Sequence, residues 1–388
     1  MLSIKHNHLG MSGEEATGRV KYKLLDALLD REEVERIWKQ VLPESKASFF
    51  LSWEWISTWL ETLPGDERID LITGYINDEP VLAYFLGKRQ FTRRGFFHYR
   101  LASLNATGDE YLDELTVEYN GVLVIPQLRI DVIQEIANRD VGEWDELYLP
   151  GLAGDLCAEI DRLRNDAEQY FIIDIEKDSK SRYVELDKVR SANMDYAGLL
   201  SSNRRQQIRR SIREYSKSSE IRVNVAQTSG EASQLLEALA ELHQREWIQR
   251  GKEGAFANSY FHDFHSALIQ KYFDSGIIQL VHIHTDQVTI GYLYNFIHEG
   301  NVLFYQSGFN YMESNHARPG LVSHYFAVLL NAELGHGRYD FLAGDSQYKK
   351  SLATNAERMM WVRLKKKSIR SWVEGSARSA YRKLKRTQ

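Results

Sequence analysis

The stretch from Ile277 to Asn310 constrains the fold most. It holds three apolar runs, IIQLVHIHT, VTIGYLYNFI and NVLFYQSGFN, separated only by the turn pairs Asp286-Gln287 and Glu299-Gly300. Connections that short join antiparallel neighbours, because a parallel crossover needs about a dozen residues or more. Two amphipathic helices precede the runs. One spans Leu235 to Arg250, with Leu235, Leu236, Leu239, Leu242 and Trp247 at helical spacing; the other spans Tyr260 to Phe273, with Phe261, Phe264, Leu268, Ile269 and Tyr272. A helix opening at Pro319-Gly320 and closing near Gly335 follows, then the strands RYDFLAG and MMWVRLKK. Such an order argues against a helical bundle and against a strictly alternating βαβ chain.

The first half follows the same general order. LLDREEVERIWKQVL and FFLSWEWISTWLETL read as helices, and IDLITGYIN and VLAYFLGKR as a hairpin across Asp78-Glu79-Pro80. FFHYRLASL, LTVEYNGVLVI and WDELYLPGL read as further strands, and IPQLRIDVIQEIANRD as a helix. Between about Asp174 and Glu220 the text becomes more polar, and Ser201 or Ser202 caps a strongly basic helix. At 388 residues two domains are expected. The reading is an α/β fold: an N-terminal domain over 1–175, a linker with the basic helix over 176–220, a C-terminal domain over 221–367 and a tail helix over 368–388.

Composition narrows the function classes. A net charge of −5 gives no global reason to expect nucleic acid, and only six prolines argue against long disordered linkers. The single cysteine, Cys157, excludes an intramolecular disulfide and a multi-cysteine zinc site; no metal is expected. The first residues lack the apolar core of a secretory signal, and no run approaches the ~18 apolar residues of a spanning helix. A cytoplasmic protein is the expectation.

Two segments are candidates for chemistry. In Val302 to Ala332 a strand ends in a loop and re-enters as a helix behind Pro319-Gly320. Exposed N–H groups at such a helix start, together with the helix dipole, favour an anion such as a pyrophosphate; an ordinary helix start accounts for the same residues. In RYDFLAGDSQYKK, Gly344-Asp345 breaks a short apolar strand, and Tyr348, Lys349 and Lys350 follow. A lysine there can neutralise a developing oxyanion and a tyrosine hydroxyl can deliver a proton; a turn with solvated lysines is the alternative.

These segments, with RRQQIRRSIREY, LHQREWIQRG and the hairpin VTIGYLYNFIHEGNVLFYQSGFN, stand in an order that resembles the BioF2-like (CelD-type) acetyltransferase family. That family is a branch of the GNAT superfamily similar to the Fem-type aminoacyltransferases. The resemblance is clearest over about Ser201 to Val362. It implies two tandem GNAT-like folds with mixed, mostly antiparallel sheets flanked by helices, and acyl transfer to an amine, with a sugar-linked or envelope-precursor acceptor as its setting. A standard GNAT domain binds the CoA pyrophosphate with a (Gln/Arg)-x-x-Gly-x-(Gly/Ala) loop. Here that place reads NHARPGL, without a second glycine at the family spacing. Gln306, Gly308, Arg318, Pro319 and Gly320 are the implied donor-binding residues. Fem-type enzymes take their acyl group from aminoacyl-tRNA and carry an aromatic-lysine pair that Tyr348-Lys349 matches, which makes Lys349 the candidate for stabilising the tetrahedral intermediate. Acyl-CoA is the expected co-substrate, with aminoacyl-tRNA as the alternative donor and a non-catalytic binding scaffold as the alternative role.

Other residues add to the candidate site. Arg204, Arg205, Arg209, Arg210 and Arg213 cluster on one helix, and Arg205 and Arg209 share a face able to grip phosphates of a donor or acceptor. His243 and Asp345 are candidates for binding substrate, and Glu118 is a candidate base for the acceptor amine. From Arg363 onward ten basic residues face a single acid, Glu374, around an apolar stripe that includes Ile369 and Trp372. This basic amphipathic tail suits docking on the protein's own surface, on an anionic membrane or on an acidic acyl carrier protein.

Overall fold

The structure, a computed structural model, describes residues 20–93, 97–128, 130–138, 144–166, 170–217, 219–312, 314, 316–344 and 346–367. The tail helix expected over 368–388 lies outside the described residues. The chain opens with β1 (Lys21–Asp26), α1 (Arg31–Val41) and α2 (Trp53–Thr62), then β2 (Ile69–Ile76), β3 (Glu79–Arg93) and β4 (Phe97–Leu104). β5 (Leu123–Val124), α3 (Val132–Asn138), β6 (Glu146–Ala153), α4 (Asp155–Asn165) and β7 (Phe171–Glu185) complete the first half. α5 (Leu186–Ser191) and α6 (Ser202–Tyr215) lead to β8 (Arg222–Val225), α7 (Ser229–Gln249) and α8 (Ser259–Tyr272). The meander β9 (Ile278–His284), β10 (Thr289–His298) and β11 (Asn301–Phe309) follows, then α9 (Pro319–Glu333), β12 (Arg338–Ala343), α10 (Gln347–Leu352) and β13 (Asn355–Lys366). The second half thus repeats the element order of the first.

All these strands join one sheet in the order β1-β2-β3-β4-β6-β13-β7-β12-β11-β10-β9-β8, with β5 beside β3. Pairing is antiparallel except for β4 with β6 and β11 with β12. The two halves exchange strands at the centre. β13, from the end of the chain, lies between β6 and β7, while β7 pairs with β12 over Ser181–Glu185. The boundary expected at 175 therefore falls inside a 15-residue strand.

Side-chain alternation sorts the helices onto two faces. On β10, Tyr294 and Phe296 point into a core built with α1, α2, α7 and α8, whereas Ile290 and Leu293 point into one built with α5, α6 and α9. A third core lies under α3 and α4. The first core spans both halves: Phe49 stacks on Phe296 at 4.1 Å, and Trp55 meets Phe264 edge-on at 4.7 Å. Aromatic pairs of this kind add about 0.5–1.5 kcal/mol each beyond the area they bury, so the halves share structure as well as sheet.

The structure departs from two sequence expectations. LTVEYNGVLVI is not one strand: Thr116 and Tyr119 take positive φ (48° and 50°), and only Leu123–Val124 joins the sheet. The polar text after Asp174 begins as strand, because β7 is held by its ladders with β13 and β12 and buries few of its own side chains. The basic helix is α6, capped by Ser201, whose hydroxyl accepts from the Arg204 N–H. Among the described residues no helix is long and apolar enough to cross a membrane.

Candidate functional site

The site follows from how little β11 and β12 pair. They run parallel only where Asn301–Leu303 face Arg338–Asp340. Beyond that point β11 carries a bulge: Gln306 faces Tyr294 and Phe304 faces Asn295, which leaves Tyr305 as the extra residue. A bulge raises local twist and turns a strand away from its neighbour. The two strands diverge, and a pocket of about 830 Å³ opens between them. Phe304 to Ser307 of β11 form one wall and Ser346 to Lys349 the other; the start of α9 and the end of α7 close the mouth.

At the mouth Arg318 is the N-cap of α9 without a side-chain cap, and Pro319 fills the first turn. At Gly320 a Cβ would lie 3.2 Å from the Phe309 ring, a close fit that glycine avoids. Arg204 of α6 and Arg318 both donate to the Gln207 side-chain oxygen, at 2.8 and 3.1 Å. Neither has a carboxylate partner among the described residues. Burial lowers the Arg204 pKa, and the charge of Arg318 lowers it further. Two guanidinium groups close together at a helix N-terminus have the chemistry to hold a polyanion.

At the inner end stands Lys349, on α10. Its ammonium donates to the carbonyls of Ala343 (2.8 Å) and Leu342 (3.4 Å). Burial lowers its pKa, against the opposing pull of Glu118 and Asp340. The turn that supplies those carbonyls is strained: Leu342 has φ +59°, rare for a branched residue. A polar network holds it in place. Asp340 accepts from Ser181 (2.8 Å) and the Leu342 N–H (2.7 Å) through one oxygen and from Tyr119 (2.6 Å) through the other, which also forms an ion pair with Arg338 (2.5 Å). Arg338 also reaches Glu357 (2.6 Å) and lies 3.6 Å from the Tyr183 ring centroid. Glu118 accepts from the Ala343 N–H at 2.6 Å, and burial pushes its pKa up to about 7. Tyr348 stacks on His324 at 5.6 Å, and burial raises its hydroxyl pKa, so the phenol keeps its proton at neutral pH.

Gln306, Arg318, Pro319, Gly320, His243, Tyr348 and Lys349 all line this one pocket. The other expected site residues lie elsewhere. Glu118 is outside the lining; its carboxylate is taken up beneath the turn that holds Lys349. Gly308 is a packing position: a Cβ there would lie 2.3 Å from the Leu239 carbonyl of α7. Arg205 and Arg209 line a separate open groove of about 570 Å³ along α6. Asp345 lies outside the described residues. Sequence reasoning named Arg204 within its cluster but not as the arginine that enters the pocket, because spacing does not fix a helix's rotation. Tyr119 has no local signal, since Asp340 is 221 residues away.

Comparison with known proteins bears on the domain type and the fold. Residues 202–350 match the profile of an acetyltransferase (GNAT) domain. No curated protein matches the sequence. The crystal structure of FemX superposes with a TM-score of 0.52 at 10% identity, covering 84% of this chain and 95% of that one. A conserved protein of unknown function from Bacteroides thetaiotaomicron VPI-5482 gives 0.50 at 12% identity, covering 90% and 100%. A tandem GNAT protein from the clavulanic acid biosynthesis pathway gives 0.45 at 12% identity, covering 89% and 98%. The chain carries a GNAT acetyltransferase domain on a FemX-like fold, and it is an acyltransferase.

Proposed function

We propose that the protein transfers an acyl group from a CoA thioester to an amine, borne on a sugar or an envelope precursor. The observation that carries this is the unpaired Arg204–Arg318 couple at the start of α9, at one end of a pocket that has Lys349 at the other. A pyrophosphate suits the arginines and the helix start, and the pantetheine arm would then run along β11, which beyond Leu303 has no ladder with β12. Attack by the amine forms the C–N bond and places charge on the carbonyl oxygen. Lys349 has spent two of its three N–H groups on carbonyls, and the third is the donor for that oxyanion. Collapse breaks the C–S bond, and Tyr348 is the proton source for the departing thiolate.

A second reading takes the acyl group from charged tRNA. The row of Arg205, Arg209 and Arg213 along the α6 groove favours it, since nucleic-acid phosphates need such a face. Titration calorimetry separates the two. Acetyl-CoA should bind, and Arg204→Gln and Arg318→Gln should each weaken it about 10–100-fold, the usual worth of a charged hydrogen bond. Pantetheine, which lacks the pyrophosphate, should show no such loss. Equal CoA affinity in wild type and both variants, or transfer from charged tRNA alone, would overturn the CoA reading.

A further inference from the structure

We infer that His243 is the proton acceptor for the attacking amine, an assignment that rests on the acyl-transfer reading above. His243 lies on α7, is only 6% exposed, and lines the pocket. Its Nδ1 is 3.0 Å from the Ser307 carbonyl oxygen of β11. A carbonyl only accepts, so Nδ1 carries the proton and Nε2 presents a lone pair. Nε2 is buried and has no hydrogen-bond partner. Leaving such a group unmade costs about 1–3 kcal/mol. His265 and His324 also carry an unpartnered Nε2, but both lie outside the pocket lining, and His243 alone of the three combines a free Nε2 with a place in that lining.

The surroundings keep this ring neutral and fixed. Trp247 and Phe256 pack on it at 5.7 and 5.4 Å between ring centroids, and a Cβ at Gly254 would come within 3.0 Å of its Cδ2. Burial lowers the pKa from 6.5, so the free base prevails at neutral pH. The charged and titratable groups around the same pocket are Glu246 and Arg250 on α7, Arg204 on α6, Arg318 at α9, Tyr311, and Tyr348 and Lys349 on α10. Glu246 is engaged by Arg250 at 2.5 Å.

The step balances without a further reactant. The amine nitrogen forms its bond to the acyl carbon, and its N–H proton passes to Nε2 of His243. The C–S bond then breaks, the thiolate takes the proton of Tyr348, and the proton that the imidazolium releases to solvent balances the one solvent returns to the Tyr348 phenolate. The nitrogen that Ser307 orients is thereby separate from the nitrogen that works, the usual division of labour for a catalytic histidine.

The test uses the full-length protein, acetyl-CoA as donor, and glucosamine and hydroxylamine as amine probes, with thiol release as the rate. His243→Asn can keep a donor near the Ser307 carbonyl while removing Nε2. It should lower kcat about 10²–10⁴-fold and leave the acetyl-CoA Kd within about twofold. Wild-type kcat should fall as pH drops through a pKa below 6.5, the base being lost by protonation, and the variant should lack that acid limb. Added imidazole should restore part of the rate to His243→Ala. Bound acetyl-CoA in each variant shows that it has folded. Unchanged kcat, or a retained acid limb in His243→Asn, overturns the assignment, as does acetyl-CoA binding without catalysed thiol release to any nucleophile. Failure of the wild type to bind acetyl-CoA would instead sink the donor reading beneath it.

Discussion

Replacing Glu118 by glutamine should stabilise the protein, and more so as pH rises. Glu118 is 5% exposed, and burial holds its pKa at about 7 against an ordinary 4.5, despite the pull of Lys349 toward ionisation. A folded pKa above the unfolded one means the neutral form is preferred in the native state. The contribution to stability is then full below pH 4.5 and is lost as pH rises through 7. At about 1.36 kcal/mol per pKa unit the wild type forfeits about 3 kcal/mol by pH 8, and less than about 1 kcal/mol at pH 5. Glutamine cannot ionise, yet its amide oxygen can still accept the Ala343 N–H that Glu118 now receives at 2.6 Å. Glu118→Gln should therefore be more stable by about 3 kcal/mol at pH 8, with most of that gain gone at pH 5. Denaturant unfolding at the two pH values measures the difference. Equal or lower stability of the variant at pH 8 would refute the reasoning. A hundredfold loss of kcat with unchanged stability would return Glu118 to the role of base.

Two further substitutions probe the pocket walls. Lys349→Ala should cost about 10²–10³ in kcat, as for one oxyanion contact, with donor affinity held within about twofold; a change in donor Kd alone, seen by calorimetry, would make Lys349 a binding residue. Gly308→Ala places a Cβ 2.3 Å from the Leu239 carbonyl, a backbone atom that no rotamer change can relieve. The variant should lose about 1–3 kcal/mol in denaturant unfolding and some turnover, because Leu239 lies one helical turn before His243; wild-type stability would show that α7 yields freely.

What the sequence disclosed and what it hid divide along physical lines. The meander β9–β10–β11 was legible because apolar alternation and two-residue turns are local signals, and α9 because Pro319 and Gly335 bracket it. β7 was hidden: its pairing energy lies in backbone ladders, and its side chains are largely half-exposed or exposed. α10 is six residues long, too short for a period to show, yet it sets the direction of Lys349. The segment around Glu118 misled because its alternation is that of a strand. Its tertiary task bends it instead, with Thr116 and Tyr119 in left-handed conformations. Gln306, Arg318, Pro319 and Gly320 came together at one pocket, without Gly308, whereas the network behind Lys349 joins Tyr119, Ser181, Arg338 and Asp340, which no local pattern links.

That network also bears on why the pocket of about 830 Å³ opens between β11 and β12 and not, among the described residues, between β4 and β6. In the first half β4 and β6 likewise pair over only three residues, Leu101–Ser103 with Glu146–Tyr148, so the same wedge begins to open. There it is filled. Asn120 bridges to Leu152 on the free edge of β6 and donates its N–H to the Gly151 carbonyl at 2.8 Å. Leu123–Val124 then pairs with β3 on the other side. Asn105 secures the insertion, donating to the Asn120 side chain (2.8 Å) and the Gly121 carbonyl (2.7 Å) while its oxygen accepts the Phe85 N–H (2.8 Å). The insertion occupies the wedge, and the cavity left beside it, lined by Asn105, Val117, Tyr148 and Pro150, holds about 200 Å³ against about 830 Å³ in the second half. The residues just before the insertion, Glu118 and Tyr119, reach out of the first half to grip the turn beneath Lys349. One half has thus closed its own opening with a segment that supports the pocket of the other. With β7 and β13 exchanged between the halves, neither half contains by itself all the strands and side chains that hold the site.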